Sequence, residues 1–258
     1  VTYAIAQILW VRYLLYAGYG CWAAVSEAGT EGFRSQNLAL QLVRGTVLVV
    51  SNIVVVFSFS QLPLADVHAV IAIAPLLVTA ASVVFLSETV GVRRWVAVGM
   101  GFVGILIILR PGFAVLDWVA LSPLLGATLY AGYQVLTKLV SRHDRQGTTQ
   151  FYTGLCGLVG FSVLAPFVWV TPSAPDWGWL GAAAFAGTLA HILIIKGLHL
   201  APASTVQPFN YSMLVAAALL GYFVFAEVPD LLTVIGACIV VLSGLYALHR
   251  ERVVSATA

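Results

Sequence analysis

The stretch LADVHAVIAIAPLLVTAASVVFLS, residues 64–87, places its two ionisable side chains, Asp66 and His68, at its start and is apolar or small almost throughout the rest. A barrel strand crosses a bilayer in about 9–11 residues of alternating pattern, whereas an unbroken apolar run of about 20 residues matches a helix through the hydrocarbon. A helix is also the economical solution there, because its backbone groups bond one another where no water is available. Residues 64–87 are therefore expected to cross a membrane as a helix.

Working outward, eight more segments read the same way: Ile5 to Val25, Leu42 to Gln61, Trp95 to Leu109, Trp118 to Lys138, Thr149 to Val170, Trp179 to Leu198, Ala203 to Ala226 and Leu232 to Leu248. Short separators rich in turn formers divide them, such as Arg110-Pro-Gly112 and Thr171-Pro-Ser-Ala-Pro-Asp176. Of the 258 residues 61% are hydrophobic and 9% charged, with a mean hydropathy of +0.99, where soluble domains carry about 25% charge. The apolar runs recur to the C-terminus, which a single signal peptide does not do. The expected class is an all-α integral membrane protein, a polytopic bundle of about nine transmembrane helices. The net charge of +2 gives no reason to expect a nucleic-acid partner. Cys21, Cys156 and Cys238 lie in separate spans without Cys-x-x-Cys spacing, so neither a metal site nor a disulfide framework is expected.

Counting Lys and Arg in alternate connections puts Arg34, Arg44, Arg93, Arg94, Lys138, Arg142, Arg145, Lys196, Arg250 and Arg252 on one side and only Arg110 clearly on the other. The positive-inside rule makes the richer side cytoplasmic. The chain then ends in the cytoplasm of a bacterial-type inner membrane, and its first span starts outside. An external start without an initiating Met leads us to expect one preceding helix, and ten in the intact protein.

Two stretches are alike. Leu62-Pro-Leu-Ala-Asp-Val-His-Ala69 leads into a span closing Phe85-Leu-Ser-Glu88, followed by a glycine-rich span reaching Arg110. Leu200-Ala-Pro-Ala-Ser-Thr-Val-Gln207 leads into a span closing Val224-Phe-Ala-Glu227, followed by a span reaching Arg250. An odd number of spans separates them, so they face opposite ways, the inverted repeat on which many secondary transporters are built. Residues 1–112 are expected to be a first repeat lacking its first helix, 113–250 a second repeat, and 251–258 a cytoplasmic tail.

At these residues, and at Ile8-Leu-Trp-Val-Arg-Tyr13, Trp95, Gly104, Gly236 and Gly244, the chain resembles the drug/metabolite transporter superfamily, specifically the EamA-type transporters. The resemblance implies ten helices in two inverted five-helix repeats, no cofactor, and secondary transport of a small organic metabolite or drug by alternating access. Known substrates of such proteins range over amino acids, vitamins, nucleotide-like metabolites and drugs. The alternative is a non-transporting membrane protein, either an embedded enzyme or a receptor-like binding module. No deep nucleophile, paired carboxylates or Gly-x-Ser-x-Gly elbow is present, so catalysis is not expected.

Polar groups at membrane depth mark candidate substrate contacts. Arg12, Tyr16 and Tyr19 fall on one face of the first span, Tyr130, Tyr133, Gln134 and Thr137 on another, and Gln207, Asn210 and Tyr211 on a third. His191, with Gly187 and Thr188 one turn earlier, Asn52 and His68 complete the set. The bland explanation of each is an interhelical hydrogen bond; the functional one is a shared aqueous cavity at the midplane between inverted halves, suited to a planar or zwitterionic solute. Pro75 and Pro208 interrupt corresponding spans and are candidate hinges. His68 and His191 are candidates for proton coupling. Gly99-Met-Gly101-Phe-Val-Gly104 spells a dinucleotide fingerprint but lies inside an apolar span, where small residues let helices approach closely. Glycine-rich faces suit a homodimer as well as packing within one chain.

Overall fold

The computed structural model describes residues 4–86, 92–109, 118–201, 203–206, 210–225, 228 and 230–255. Its elements are helices α1 (Ile5–Ala28), α2 (Leu38–Gln61), α3 (Leu64–Ile71), α4 (Ala74–Leu86), α5 (Val92–Leu109), α6 (Trp118–Val140), α7 (Gln146–Leu164), α8 (Ala174–Leu200), α9 (Ala203–Val206), α10 (Tyr211–Phe225) and α11 (Leu231–Ser255), with 3-10 turns at Gly29–Phe33 and Ala165–Phe167. Every expected span has its helix, and the all-α polytopic class is borne out. The span over residues 64–87 is drawn as two pieces, α3 and α4. Residues 203–226 likewise contain α9 and α10, with residues 207–209 outside the described set.

Local chemistry explains several of these boundaries. Asn37 caps α2, its Oδ1 accepting from the Leu40 N–H at 3.0 Å. Asp230 caps α11 through the Thr233 N–H at 2.8 Å, and the Glu27 carboxylate accepts from Gly147 N–H in the first turn of α7 at 2.5 Å. The break between α3 and α4 lies where Pro75 lacks an N–H. There the backbone turns to three-residue bonds, Ile73 N–H to Val70 O at 3.2 Å and Leu76 N–H to Ile73 O at 2.9 Å, which leaves Pro75 in the first turn of α4, where a missing donor costs least.

Five segments among the described residues are long and apolar enough to cross a membrane: Leu38–Gln61, Asp66–Leu86, Val119–Val140, Gln146–Phe167 and Ala174–Leu200. Trp95–Ile108 and Leu231–Tyr246 are shorter apolar helices. The distribution of side chains is that of a protein in lipid. Val84, Phe85, Phe167, Trp179 and Phe223 are largely exposed, whereas Gln7, Gln41, Arg44, Gln134 and Gln150 are fully buried. In water that arrangement would be costly on both counts.

The chain divides into two compact units, each drawn from both halves of the sequence. Unit 1 comprises Val1–Val50 and Leu136–Ala201; unit 2 comprises Ser51–Val135 and Pro202–Ala258. In unit 1, α1 packs along α7 and also touches α8. Small residues make that contact: a Cβ on Gly20 would stand 2.8 Å from the Phe151 Cα and one on Gly154 2.7 Å from the Ala17 Cα, while Gly157 lies under the Tyr13 ring. In unit 2, α5 packs on α11, α3 on α10, and α4 on α5 and α9, around a core that includes Val70, Ile73, Leu76, Ala97, Ile105 and Val240. Gly104 and Gly236 face each other's carbonyl, at 2.7 and 2.6 Å from where a Cβ would sit. Gly104 of the fingerprint-like run thus serves helix packing.

Gly20→Val should lower stability by about 1–3 kcal/mol through overpacking against the α7 backbone. Gly18→Ala, on the same helix with open space around it, should leave the thermal midpoint in detergent unchanged or slightly raised.

Candidate functional site

Unit 1 carries two polar clusters, and the first is built from one face of α1 and one face of α8. Helical spacing sets Arg12 and Tyr16 one above the other on α1, and Gly187, Thr188 and His191 within one turn on α8. The Arg12 Nη2 donates to His191 Nδ1 at 2.6 Å. A guanidinium only donates, so Nδ1 is the acceptor, and the neutral ring carries its proton on Nε2. Gly187 makes room for the arginine: a Cβ there would lie 3.0 Å from Arg12 Cδ and Nε. The guanidinium carbon sits 5.3 Å from the Tyr13 ring centroid, within cation–π range. The Tyr16 hydroxyl donates to Gln150 Oε1, and its ring stacks on Tyr19 at 6.5 Å and meets His191 edge-on at 6.0 Å.

The second cluster centres on Arg44, which sequence reading counted only as a charge in a connection. Because Asn37 starts α2 at Leu38, Arg44 falls nearly two turns inside the helix and is fully buried. Its Nε and Nη2 donate to Gln41 Oε1 at 3.2 and 2.9 Å, Nη2 also to Thr149 O at 2.9 Å and Thr153 Oγ1 at 2.8 Å, and Nη1 to Thr137 Oγ1 at 3.4 Å. Gln41 then donates from Nε2 to Asp144 Oδ2 at 2.8 Å, so one amide joins a buried cation to a carboxylate. Asp144 also accepts from Ser35 Oγ at 2.5 Å and Gln36 N–H at 2.7 Å. Lys138 Nζ donates to the Leu198 and Ala201 carbonyls, both at 2.9 Å, closing the C-terminus of α8. The signal missed in the sequence was paired spacing: Gln41 with Arg44, and Thr149 with Thr153, each one turn apart.

Unit 2 holds most of the other expected contacts. Tyr130 and Tyr133 stack at 5.9 Å, and Tyr133 and Gln134 are fully buried. The His68 ring lies 5.0 Å from Phe59. Asn52 and Asn210 are half-buried, and Asp66 accepts from Thr233 Oγ1 at 3.0 Å. Gln207, Pro208 and the Tyr211 side chain lie outside the described residues. Arg12, Tyr16 and His191 are thus gathered in unit 1, and Asn52, His68, Tyr130, Tyr133, Gln134 and Asn210 belong to unit 2. Thr137, on the same expected stripe as Tyr130 and Tyr133, serves Arg44 in unit 1 instead. No group of three or more His, Cys, Asp or Glu side chains gathers among the described residues. The first cluster combines donors with aromatic rings, whereas the donors of the Arg44 cluster are taken up within the protein.

The EamA-like transporter family profile matches residues 117–248. The riboflavin transporter of Vibrio cholerae is 31% identical over 246 residues, covering 94% of this chain and 79% of that protein. The S-adenosylmethionine uptake transporter of Rickettsia bellii is 25% identical over 224 residues, covering 87% of this chain and 77% of that protein. A solved crystal structure that is 16% identical superposes with a TM-score of 0.71 over 96% of this chain and 88% of its own, and so shares the fold.

Gln41→Leu would strip the bridging amide from Arg44 and Asp144, and we expect a loss of about 2–4 kcal/mol in unfolding stability. Gln36→Ala, which keeps the backbone donor to Asp144, should stay within about 0.5 kcal/mol of the parent. Chemical unfolding followed by tryptophan fluorescence reads both.

Proposed function

The chain belongs to the EamA-like transporter family, and on that premise we propose that it is a secondary transporter carrying a small heteroaromatic metabolite across a bacterial-type inner membrane by alternating access. That it handles a small-molecule solute, as a multi-pass membrane protein, follows from the family and its relatives. The observation that carries the finer reading is the Arg12–Tyr16–His191 cluster, where a guanidinium, an imidazole and aromatic rings meet on two facing helices. Riboflavin and S-adenosylmethionine, the solutes named for the relatives, each pair a planar ring with polar groups, and they are the first candidates.

Two inverted repeats are supported by the pairing of counterparts. α1 packs on α7 and α5 on α11, while α3 packs on α10 and α4 on α9. A divided helix is a usual surrounding of a transporter site, which favours Pro75, at the break between α3 and α4, as a hinge, and Pro208 by its corresponding place in the sequence. A cytoplasmic C-terminus rests on the Lys and Arg distribution, which keeps its bias after Arg44 is removed from the count. Proton coupling is assigned to His191, whose Nδ1 would have to leave Arg12 in order to take up a proton, with His68 as the second candidate.

Purified protein in liposomes should show saturable uptake of radiolabelled riboflavin or S-adenosylmethionine, and Tyr16→Leu should reduce it at least tenfold at equal folded protein. Folded protein that accumulates neither of these, nor any of a panel of vitamins, amino acids and nucleosides, above empty liposomes contradicts the transport reading. An imposed inward proton gradient should accelerate uptake by the parent and fail to do so in His191→Gln. Coupling through histidine is refuted if both His191→Gln and His68→Gln keep the parent's response.

A further inference from the structure

Arg12 is a permanent cation in the body of α1 for which the described residues supply no counter-charge. It is the eighth residue of α1, about 10 Å along the axis at 1.5 Å per residue, and half-buried. A charge drawn away from water is costly and is ordinarily held by a partner. Arg44 shows how this chain meets that cost from within, with every donor nitrogen engaged and a carboxylate one amide away. Around Arg12 the neighbours are neutral: His191 Nδ1, the Tyr13 ring and the glycine surface of α8 at Gly187. The ion pair found among the described residues joins Arg34 to Glu31 instead. A guanidinium has five N–H donors. His191 takes one, and Nε is shielded from solvent without an acceptor among the described residues.

We infer that the missing partner is an anionic oxygen group, carboxylate or phosphate, on the transported solute, and that Arg12 is the residue selecting for it. This rests on the transporter reading above and narrows it from heteroaromatic metabolites in general to those bearing an acid group. The geometry suits that role. His191 and the Tyr13 ring fix the guanidinium without neutralising it, and the uncommitted donors can approach an oxyacid as a fork. A phospholipid headgroup presents the same oxygens, so the test must tell solute from lipid.

Binding to the full purified chain is measured by calorimetry in dodecyl maltoside, a detergent without phosphate. Two ligand pairs are compared: riboflavin 5′-phosphate with riboflavin, and S-adenosylmethionine with its carboxamide, in which only the carboxylate is neutralised. In at least one pair the acidic member should bind tenfold or more tightly than the neutral one. Arg12→Gln should bring that ratio to within twofold of unity, whatever it does to the neutral member's own affinity, and Arg12→Lys should restore part of the preference. The inference is overturned if the parent shows no acid preference in either pair, or if Arg12→Gln weakens both members alike. It is also overturned if added phosphatidylglycerol raises the melting temperature of the parent but not of Arg12→Gln while no solute preference exists, since the partner is then lipid. Binding and uptake of the neutral members without acid preference would defeat the role of Arg12 and leave the transporter reading standing; no binding or uptake of any member by folded parent would defeat both.

Discussion

Hydrocarbon as solvent is the constraint from which the rest of this structure follows. An apolar side chain gains little by exchanging a lipid neighbour for a helix neighbour, so helices must adhere through close backbone approach and through polar bonds made away from lipid. Both devices are present throughout. Gly20, Gly154 and Gly157 bring α1 and α7 together, and Gly104 and Gly236 do the same for α5 and α11. Between them run bonds that would be marginal in water: the Gln7 amide with both backbone groups of Val170 at 2.7 and 3.0 Å, Ser51 Oγ to Gly126 O at 3.0 Å, and Ser58 to Ser122 at 2.7 Å. Large apolar side chains such as Phe167, Phe223 and Trp179 are left facing outward.

The same constraint separates the two deep arginines. A guanidinium removed from water is tolerated when its donors are filled and its charge is answered, and Arg44 meets both conditions through Gln41, Asp144 and three threonines. That cluster draws α2, α6, α7 and the turn containing Asp144 into one body, so it belongs to the framework. Arg12 is held in place by neutral groups and keeps its charge on offer. On the proposed reading, a framework arginine and a recognition arginine are told apart by whether the protein itself completes their bonding.

Much of the fold was legible in the sequence, because segment length and hydropathy are set by bilayer thickness. Most helix ends fall within about five residues of the expected spans, but α7 ends at Leu164 rather than Val170 and α11 runs past Leu248 to Ser255, into the expected tail; the break at Pro75 follows from the missing N–H. The face of a helix is harder to read. An isolated glutamine in an apolar run looks the same whether it meets lipid, a cavity or a partner, so Gln7, Gln41 and Gln150 passed unnoticed although each is fully buried and bonded. Arg44 was misjudged for a related reason: a boundary drawn at Leu42 rather than Leu38 put it at the very start of its span, where a cation reads as interfacial, and left its partner Gln41 outside the helix. The link between Arg12 and His191 spans 179 residues of sequence, and nothing local in either segment announces it.

The central claim, that this chain carries a small solute by exposing one site alternately to each side, is tested most directly by counterflow. Liposomes holding the purified protein are loaded with unlabelled solute and diluted into a trace of the same compound bearing a label. A carrier that returns loaded faster than empty should draw label inward to a transient level above equilibrium, then release it as the internal pool drains. Label that rises only to equilibrium, at a rate indifferent to what the liposomes contain, would contradict a carrier and point to a pore or to a binding protein without transport.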